Sequence, residues 1–297
     1  MLYSLVVFCL LWYNKYMVKI DGKALAGQIK LNVKQKVQAG LQAGLPAPKL
    51  ACIIVEGNSA SEVYVASKEK ACSECLMQSQ IVRLRQDVSQ SELEQVISSL
   101  NSDDSVSGIL LQLPLPKHLN SERALSKISP SKDVDCLTVE NLGLLFSGSP
   151  IIAPCTATGI IKILDSIKVE IAGKRAVVIG RSLLVGKSVA NLLEQKNATV
   201  TICHSKTVDM EQITKQADIL VVAVGKAEYI TADYVKKGAI VIDVGINRTE
   251  SGLKGDVDYK SVSEVCSYIT PVPGGVGPLT VACLMENTLI LDRLQRG

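Results

Sequence analysis

Residues 177–188 read VVIGRSLLVGKS, an apolar run ending at Gly180 and a close on Gly186, Lys187 and Ser188. Such residues between a strand and a helix suit phosphate chemistry, since the free N–H groups of a helix N-terminus donate to anionic oxygens. Taken from its right end, the stretch has the Gly-Lys-Ser close of a loop that cradles a nucleoside triphosphate. Taken from its left end, it has the strand–turn–helix of a dinucleotide site. Spacing separates the two. Five residues lie between Gly180 and Gly186 where the triphosphate loop needs four, and Arg181 stands where a shifted frame would need glycine. The apolar run ending at Asp243 can still serve as a magnesium-holding strand, so the triphosphatase reading is weakened but open. The dinucleotide pattern is incomplete too, with Ser182 in place of the second glycine of G-x-G-x-x-G.

The end of the next strand bears on the choice of cofactor. A fold that binds NAD usually carries an acidic residue there to hold the ribose 2′-hydroxyl. This chain offers CHSKT at 203–207, with no carboxylate. A hydroxyl at Ser205 and a cation at Arg181 suit a 2′-phosphate instead, which favours NADP.

Other chemistries find less support. Nine cysteines are scattered through mostly apolar runs, the usage of a reducing compartment in which Cys acts as a small hydrophobe. Cys72 and Cys75 have metal or redox spacing, but no second pair follows and the chain has only two His, so a four-ligand zinc site has no completion. The pair reads as structural, on a helix, and no metal is expected. A net charge of +3 and no basic block interleaved with aromatics disfavour nucleic acid. The apolar run Leu5–Tyr13 is far short of the ~20 residues of a membrane span. It lacks a basic flank and a cleavage site. Residues 1–16 hold the only Trp, unlike the rest of the chain, and read as an upstream extension before a domain that starts at Met17.

The elements that must position these groups alternate. Leu25, Ile29, Val33 and Val37 repeat at four-residue steps and predict a helix over 24–41. Strands are expected at 50–56, 81–85 and 108–116, with helices over 59–77 and 89–100, the latter opened by Ser89 and Glu92 as a capping box. After a Gly/Pro/Ser-rich stretch at 147–159, strands at 175–180, 198–203, 218–225, 239–245 and 267–270 alternate with short helices, and 278–296 is a long helix. This alternation predicts an α/β fold with parallel sheets, in two domains packed across a cleft. The expected boundaries are 17–155, joined by the helix 278–297, and 156–277.

Several stretches, in order from Met17 to the C-terminus, resemble one family closely: the bifunctional methylenetetrahydrofolate dehydrogenase/methenyltetrahydrofolate cyclohydrolases. They are DGKALA (21–26), YVASKEKA (64–71), GILLQLPLP (108–116), KDVD (132–135), PCTATG (154–159), VVIGRSLLVGKS, CHSKT, GAIVIDVGIN (238–247), KGDV (254–257) and TPVPGGVGPLT (270–280). The last is the most specific. The resemblance implies a folate-binding catalytic domain, a Rossmann-type NADP domain with the C-terminal helix returning to the first, and a cytoplasmic homodimer.

It also implies roles. Lys68 would be the catalytic lysine, with Tyr64 one helical turn before it and Gln112 hydrogen-bonding nearby. Asp135 would accept from the pterin's amino and ring N–H groups. Ser61, Pro273, Gly274 and Gly275 match other folate-pocket positions. Gly180, Arg181, Ser182, Ser205 and Ile246 match cofactor contacts. Without the family, Lys68 reads as a solvated charge and Asp135 as a local cap. Four residues depart from the family pattern: Cys136 in place of Gly, and Ser59, Ala157 and Ser188 in place of Pro.

The implied chemistry is hydride removal from 5,10-methylenetetrahydrofolate, then hydration and ring opening to 10-formyltetrahydrofolate. Two further readings remain beside it: a dehydrogenase that has lost the cyclohydrolase, and a non-catalytic folate- or nucleotide-binding subunit.

Overall fold

A computed structural model describes residues 17–297, and the proposed extension at 1–16 lies outside the described residues. Strand β1 (Val18–Lys19) leads to helix α1 (Gly22–Gln42), capped by the Asp21 carboxylate, which accepts from the Ala24 N–H. Strand β2 (Lys49–Val55), helix α2 (Ser59–Glu74), strand β3 (Gln78–Leu84), helix α3 (Gln90–Asn101) and strand β4 (Gly108–Leu111) follow. They form a parallel three-stranded sheet in the order β3-β2-β4. The expected capping box is present, with the Ser89 hydroxyl accepting from the Glu92 N–H and the Glu92 carboxylate accepting from the Ser89 N–H.

The central strand β2 is buried on both faces, which accounts for its unbroken apolar sequence. Leu50, Cys52 and Ile54 enter a core shared with Val33 and Val37 of α1 and Cys72 and Cys75 of the α2 region. Ala51, Ile53 and Val55 enter the opposite core against Leu93, Ile97 and Leu100 of α3. The cysteine pair is therefore packing, and burial pushes its thiols up to about 12 and about 11.

Two short helices, α4 (Ser121–Leu125) and α5 (Val139–Phe146), connect to α6 (Cys155–Ser166) and the second unit. There β5 (Arg175–Ile179), α7 (Ser188–Gln195), β6 (Thr199–Cys203), α8 (Met210–Thr214), β7 (Ile219–Val222) and β8 (Ile240–Asp243) alternate. A hairpin of β9 (Asn247–Thr249) and β10 (Gly252–Lys254), helix α9 (Tyr259–Ser263) and strand β11 (Tyr268–Ile269) follow. The six-stranded sheet runs β1-β11-β8-β7-β5-β6, every pair parallel. Strand order reverses at β5, between β6 and β7, and a doubly wound sheet binds ligands beyond the strand ends at such a point.

Several bounds differ from expectation, with β4 ending at Leu111 rather than 116 and α2 at Glu74 rather than 77, and two further differences have a visible cause. The first residues after Met17 join the second sheet: Val18 N–H donates to Ser267 O at 2.8 Å and Ile20 N–H to Ile269 O at 2.9 Å. A two-residue strand has no periodicity from which to read that. Strand β7 also stops at Val222 rather than 225, because the N–H groups of Val224, Gly225 and Lys226 turn to the Asp256 carboxylate.

The last helix, α10 (Val276–Arg296), runs through both units. Val276, Leu279 and Ala282 pack with Ile160 and Ile20 in one core, while Cys283, Met285, Leu289 and Leu291 pack in the other. Asn287, buried in its middle, donates through Nδ2 to Val134 O at 2.9 Å and Ala153 O at 3.0 Å. Replacing it strands two carbonyls away from water, at about 1–3 kcal/mol for each buried unsatisfied group. Asn287→Ala is therefore expected to lower stability by about 2–4 kcal/mol in urea unfolding; an unchanged midpoint would contradict this tie.

Candidate active site

Helix α2 sets the first wall. Tyr64 and Lys68 lie four residues apart and so share a face, while Val65 and Cys72 turn inward. Lys68 Nζ donates to Gln112 Oε1 at 2.7 Å. Gln112 is buried just past β4, where its N–H extends the sheet by donating to Ile53 O at 2.9 Å. Its Nε2 donates to Leu113 O at 2.7 Å, so chemistry fixes the amide: nitrogen faces a carbonyl and oxygen faces the lysine.

The KDVD segment divides its two carboxylates. Asp133 accepts from the N–H groups of Leu137 and Thr138, the Thr138 hydroxyl and Asn141 Nδ2, so it organises the turn that leads into α5, whose cap is Thr138, and is fully used. Asp135 is spared that work. Burial pushes its carboxyl up, against the opposing pull of the Lys68 charge and a hydrogen bond from the Cys155 thiol. Cys136, one of the departures, has φ of 56°, the left-handed region in which glycine is at ease.

A cavity of about 620 Å³ lies between the two units, within the range of small-molecule sites. Tyr64, Lys68 and Gln112 line one side, Asp243 to Ile246 and Arg248 the other, and the loop 271–278 closes it. That loop is seated by the DGK segment: Lys23 N–H donates to Gly274 O at 3.1 Å, and any side chain at Gly22 would collide with the Gly275 carbonyl.

A second cavity, of about 730 Å³, opens beyond β5 and β6 at the switch point. Gly180, Arg181, His204, Ser205 and Thr207 line it, as do Lys226, Tyr229 and Tyr234. Gly180 has φ of 126°, and a Cβ there would strike the Ala223 carbonyl; a Cβ on Gly186 would strike the Gly180 carbonyl. Both glycines thus serve close backbone approach in a turn that runs into α7, the requirement of a dinucleotide cradle. The residues fit such a group. Lys187 is exposed and lines neither cavity, while Asp243 is buried and accepts from three backbone N–H groups, so the triphosphatase reading loses both its lysine and its magnesium ligand.

Not every expected site residue reaches a cavity. Ser61 is buried in the first turn of α2, with its N–H donating to Asn58 Oδ1, and does not line the cleft. Ser182 is exposed and uses its carbonyl to accept from Lys187 N–H, outside the switch-point cavity. Ile246, expected against the cofactor, lines the inter-domain cleft beside Gly245. Asp135 is off the cleft lining, although it feels the Lys68 charge. Ser188, where the family has Pro, finds a new partner, its hydroxyl donating to Leu183 O. Sequence reasoning missed Arg248, in the short strand β9, and Lys226 and Tyr229, in the loop after β7; none of these segments carries a motif. It read Asp243 only as a magnesium holder and missed Asp256, although both stand inside quoted stretches. Burial pushes Asp243 up to about 6 despite its three amide donors.

A doubly wound parallel sheet with a cavity at its switch point, facing a second α/β unit that presents a lysine across a cleft, defines a dinucleotide-dependent two-domain enzyme. Residues 20–135 match the tetrahydrofolate dehydrogenase/cyclohydrolase catalytic domain, and residues 154–296 match the NAD(P)-binding domain of the same family. The bifunctional protein FolD of Thermodesulfovibrio yellowstonii is 50% identical over 278 residues, covering 93% of this chain and 97% of its own. That of Campylobacter hominis is 51% identical over 280 residues, covering 93% and 98%. The crystal structure of the bifunctional FolD of Campylobacter jejuni superposes with a TM-score of 0.91 at 47% identity, over 94% of this chain and 99% of the other. The Trypanosoma brucei dehydrogenase-cyclohydrolase, solved with NADP cofactor and inhibitor, gives 0.90 at 39% identity, over 94% and 98%. The chain belongs to the tetrahydrofolate dehydrogenase/cyclohydrolase family, and carries its dehydrogenase and cyclohydrolase activities in one-carbon metabolism.

Gly186→Ala is expected to lower stability by about 1–3 kcal/mol, the cost of overpacking, and to weaken dinucleotide binding. Thermal melting and a binding titration check both, and tight binding in the variant would remove Gly186 from the cradle.

Proposed function

We propose that the chain oxidises 5,10-methylenetetrahydrofolate with NADP and then hydrolyses the 5,10-methenyl product to 10-formyltetrahydrofolate, with Lys68 as the acid–base group. The observation that carries this is the Lys68–Gln112 hydrogen bond of 2.7 Å in the wall of the inter-domain cleft. Folate lies in that cleft, held by Tyr64 and the 273–275 loop, with Asp135 set back from the lining within reach of the Lys68 charge. The dinucleotide, in the cavity beside Gly180, Arg181 and Ser205, supplies the hydride acceptor when bound.

Hydride removal moves no proton, so it depends on how the two reactants are held. Hydration does move protons. Water adds to the methenyl carbon and loses two protons as its oxygen becomes the formyl carbonyl, the bond from that carbon to N5 breaks, and N5 gains one proton, so one proton is released overall. Lys68 is the group at hand to take and return it. Gln112 occupies one of its hydrogen-bonding directions and leaves the others toward the cleft. Tyr64 stands one turn away on the same face.

The assembly is a homodimer of the cytoplasm, a reading supported by the family and by eight described cysteines that are all buried and unpaired, as a reducing compartment allows. No nucleic-acid or membrane partner enters it; among the described residues no helix is long and apolar enough to cross a membrane.

Arg181→Ala is expected to raise the KM for NADP about ten- to a hundred-fold, the worth of a charge-assisted hydrogen bond, with little change for NAD. Equal effects on both would sink the 2′-phosphate assignment. Lys68→Gln keeps length and polarity but cannot titrate. It should cost the cyclohydrolase about 10²–10⁴-fold while dehydrogenase activity survives and methenyltetrahydrofolate accumulates. Full cyclohydrolase activity in that variant would show that another group moves the proton.

A further inference from the structure

We infer that Asp256 is a positioning residue for hydride transfer, a buried carboxylate that fixes the 224–226 wall of the dinucleotide cavity and is itself held by Asp243 at the folate cleft. Asp256 is fully buried, and its two oxygens accept four N–H donors. Oδ2 takes the Val224 N–H at 2.6 Å and the Gly225 N–H at 2.9 Å. Oδ1 takes the Lys226 N–H at 2.9 Å and Asn247 Nδ2 at 2.9 Å. Val224 and Lys226 line the cavity beside Gly180 and Arg181, and the Lys226 ammonium lies 5.1 Å from the Tyr229 ring centre on the same wall.

Asp243 supports Asp256 from the other side. Its Oδ1 accepts the N–H groups of Asp256 and Gly245 at 2.9 and 3.0 Å, and its Oδ2 accepts that of Val257 at 3.0 Å. Asp243 and Gly245 line the folate cleft. Two buried carboxylates therefore join the wall of one cavity to the wall of the other, through backbone amides and the Asn247 side chain. The glycines confirm how close this packing is. A side chain at Gly245 would collide with the Asp256 carboxylate, and one at Gly255 with that of Asp243.

Burying two carboxylates near each other is costly, and a hydrophobic pair could fill the space more cheaply. What apolar residues cannot do is collect three successive N–H groups after β7 and hold that turn in one conformation. An Asn at 256 would keep the volume but turn an NH2 toward those donors. The consequence is selective. Hydride transfer needs both reactants in register, and a misplacement near 1 Å costs about a hundred-fold. Hydration of a supplied methenyl substrate needs the folate cleft and Lys68, but not the 224–226 turn.

This inference rests on the reading that the cavity beside Arg181 holds the dinucleotide. The test compares both activities of the full chain. Asp256→Asn is expected to lower dehydrogenase kcat/KM about ten- to a hundred-fold, with a raised KM for NADP. Cyclohydrolase activity on added methenyltetrahydrofolate, without dinucleotide, should stay within about three-fold, against the ten- to a hundred-fold loss expected of a misplaced hydride acceptor. Asn247→Ser removes one of the four donors and should shift the same ratio in the same direction by less; it carries the test if Asp256→Asn does not fold. Parallel loss of both activities in the folded variants would reduce Asp256 to a structural role, and no loss of either would remove it altogether. An Arg181→Ala enzyme with unchanged KM for NADP would instead overturn the cavity assignment itself.

Discussion

Helix α10 is buried in two hydrophobic cores at once, and that burial sets how far apart the two units can stand. Its first turns pack against Ile20 and Ile160 and border the folate cleft, while its middle lies against the first sheet. Asn287 then ties it to the carbonyls of Val134 and Ala153, one residue from Asp135 and two from Cys155. At its far end the Asp292 carboxylate accepts from the Ser107 hydroxyl at 2.6 Å, next to the start of β4. Lys68 and Gln112 on one side, and Gly245 and Ile246 on the other, face each other at a distance this helix maintains.

Polar groups inside the protein do work that apolar residues cannot. Asp133 organises the turn before α5 by accepting from backbone and side chain together, which leaves the neighbouring Asp135 free to face Lys68. Asp256 and Asp243 do the equivalent for the loops after β7 and β8. In each case a carboxylate gathers N–H groups that the strands no longer pair, so the loops around the cavities keep one shape without regular structure of their own.

Much of the fold was legible in the chain. Four-residue spacing marked α1, the run LACIIV marked β2, and Ser89 with Glu92 marked the start of α3, because each signal is local. Strand ends were less legible: β7 stops early because of Asp256, thirty residues further on. The edge pairing of β1 with β11 was invisible for the same reason, since two residues carry no period. Of the site, the lysine and glutamine were readable only through the likeness to a family. By itself Lys68 is a charge on a helix.

The sequence alone determined the α/β alternation, the glycines at 180 and 186, the absence of a carboxylate at the end of β6, and membership of a folate enzyme family. Those properties follow from residue type and short spacing. Tertiary structure decided which groups meet. It brought Lys68 to Gln112 across forty-four positions, sent Ser61 into the interior and Ser182 to the surface, and set Ile246 on the inter-domain cleft. It also gave Asp133 and Asp135 opposite tasks. The physical reason is that a polar side chain's role depends on which donors and charges reach it in space, and those come from segments far away along the chain.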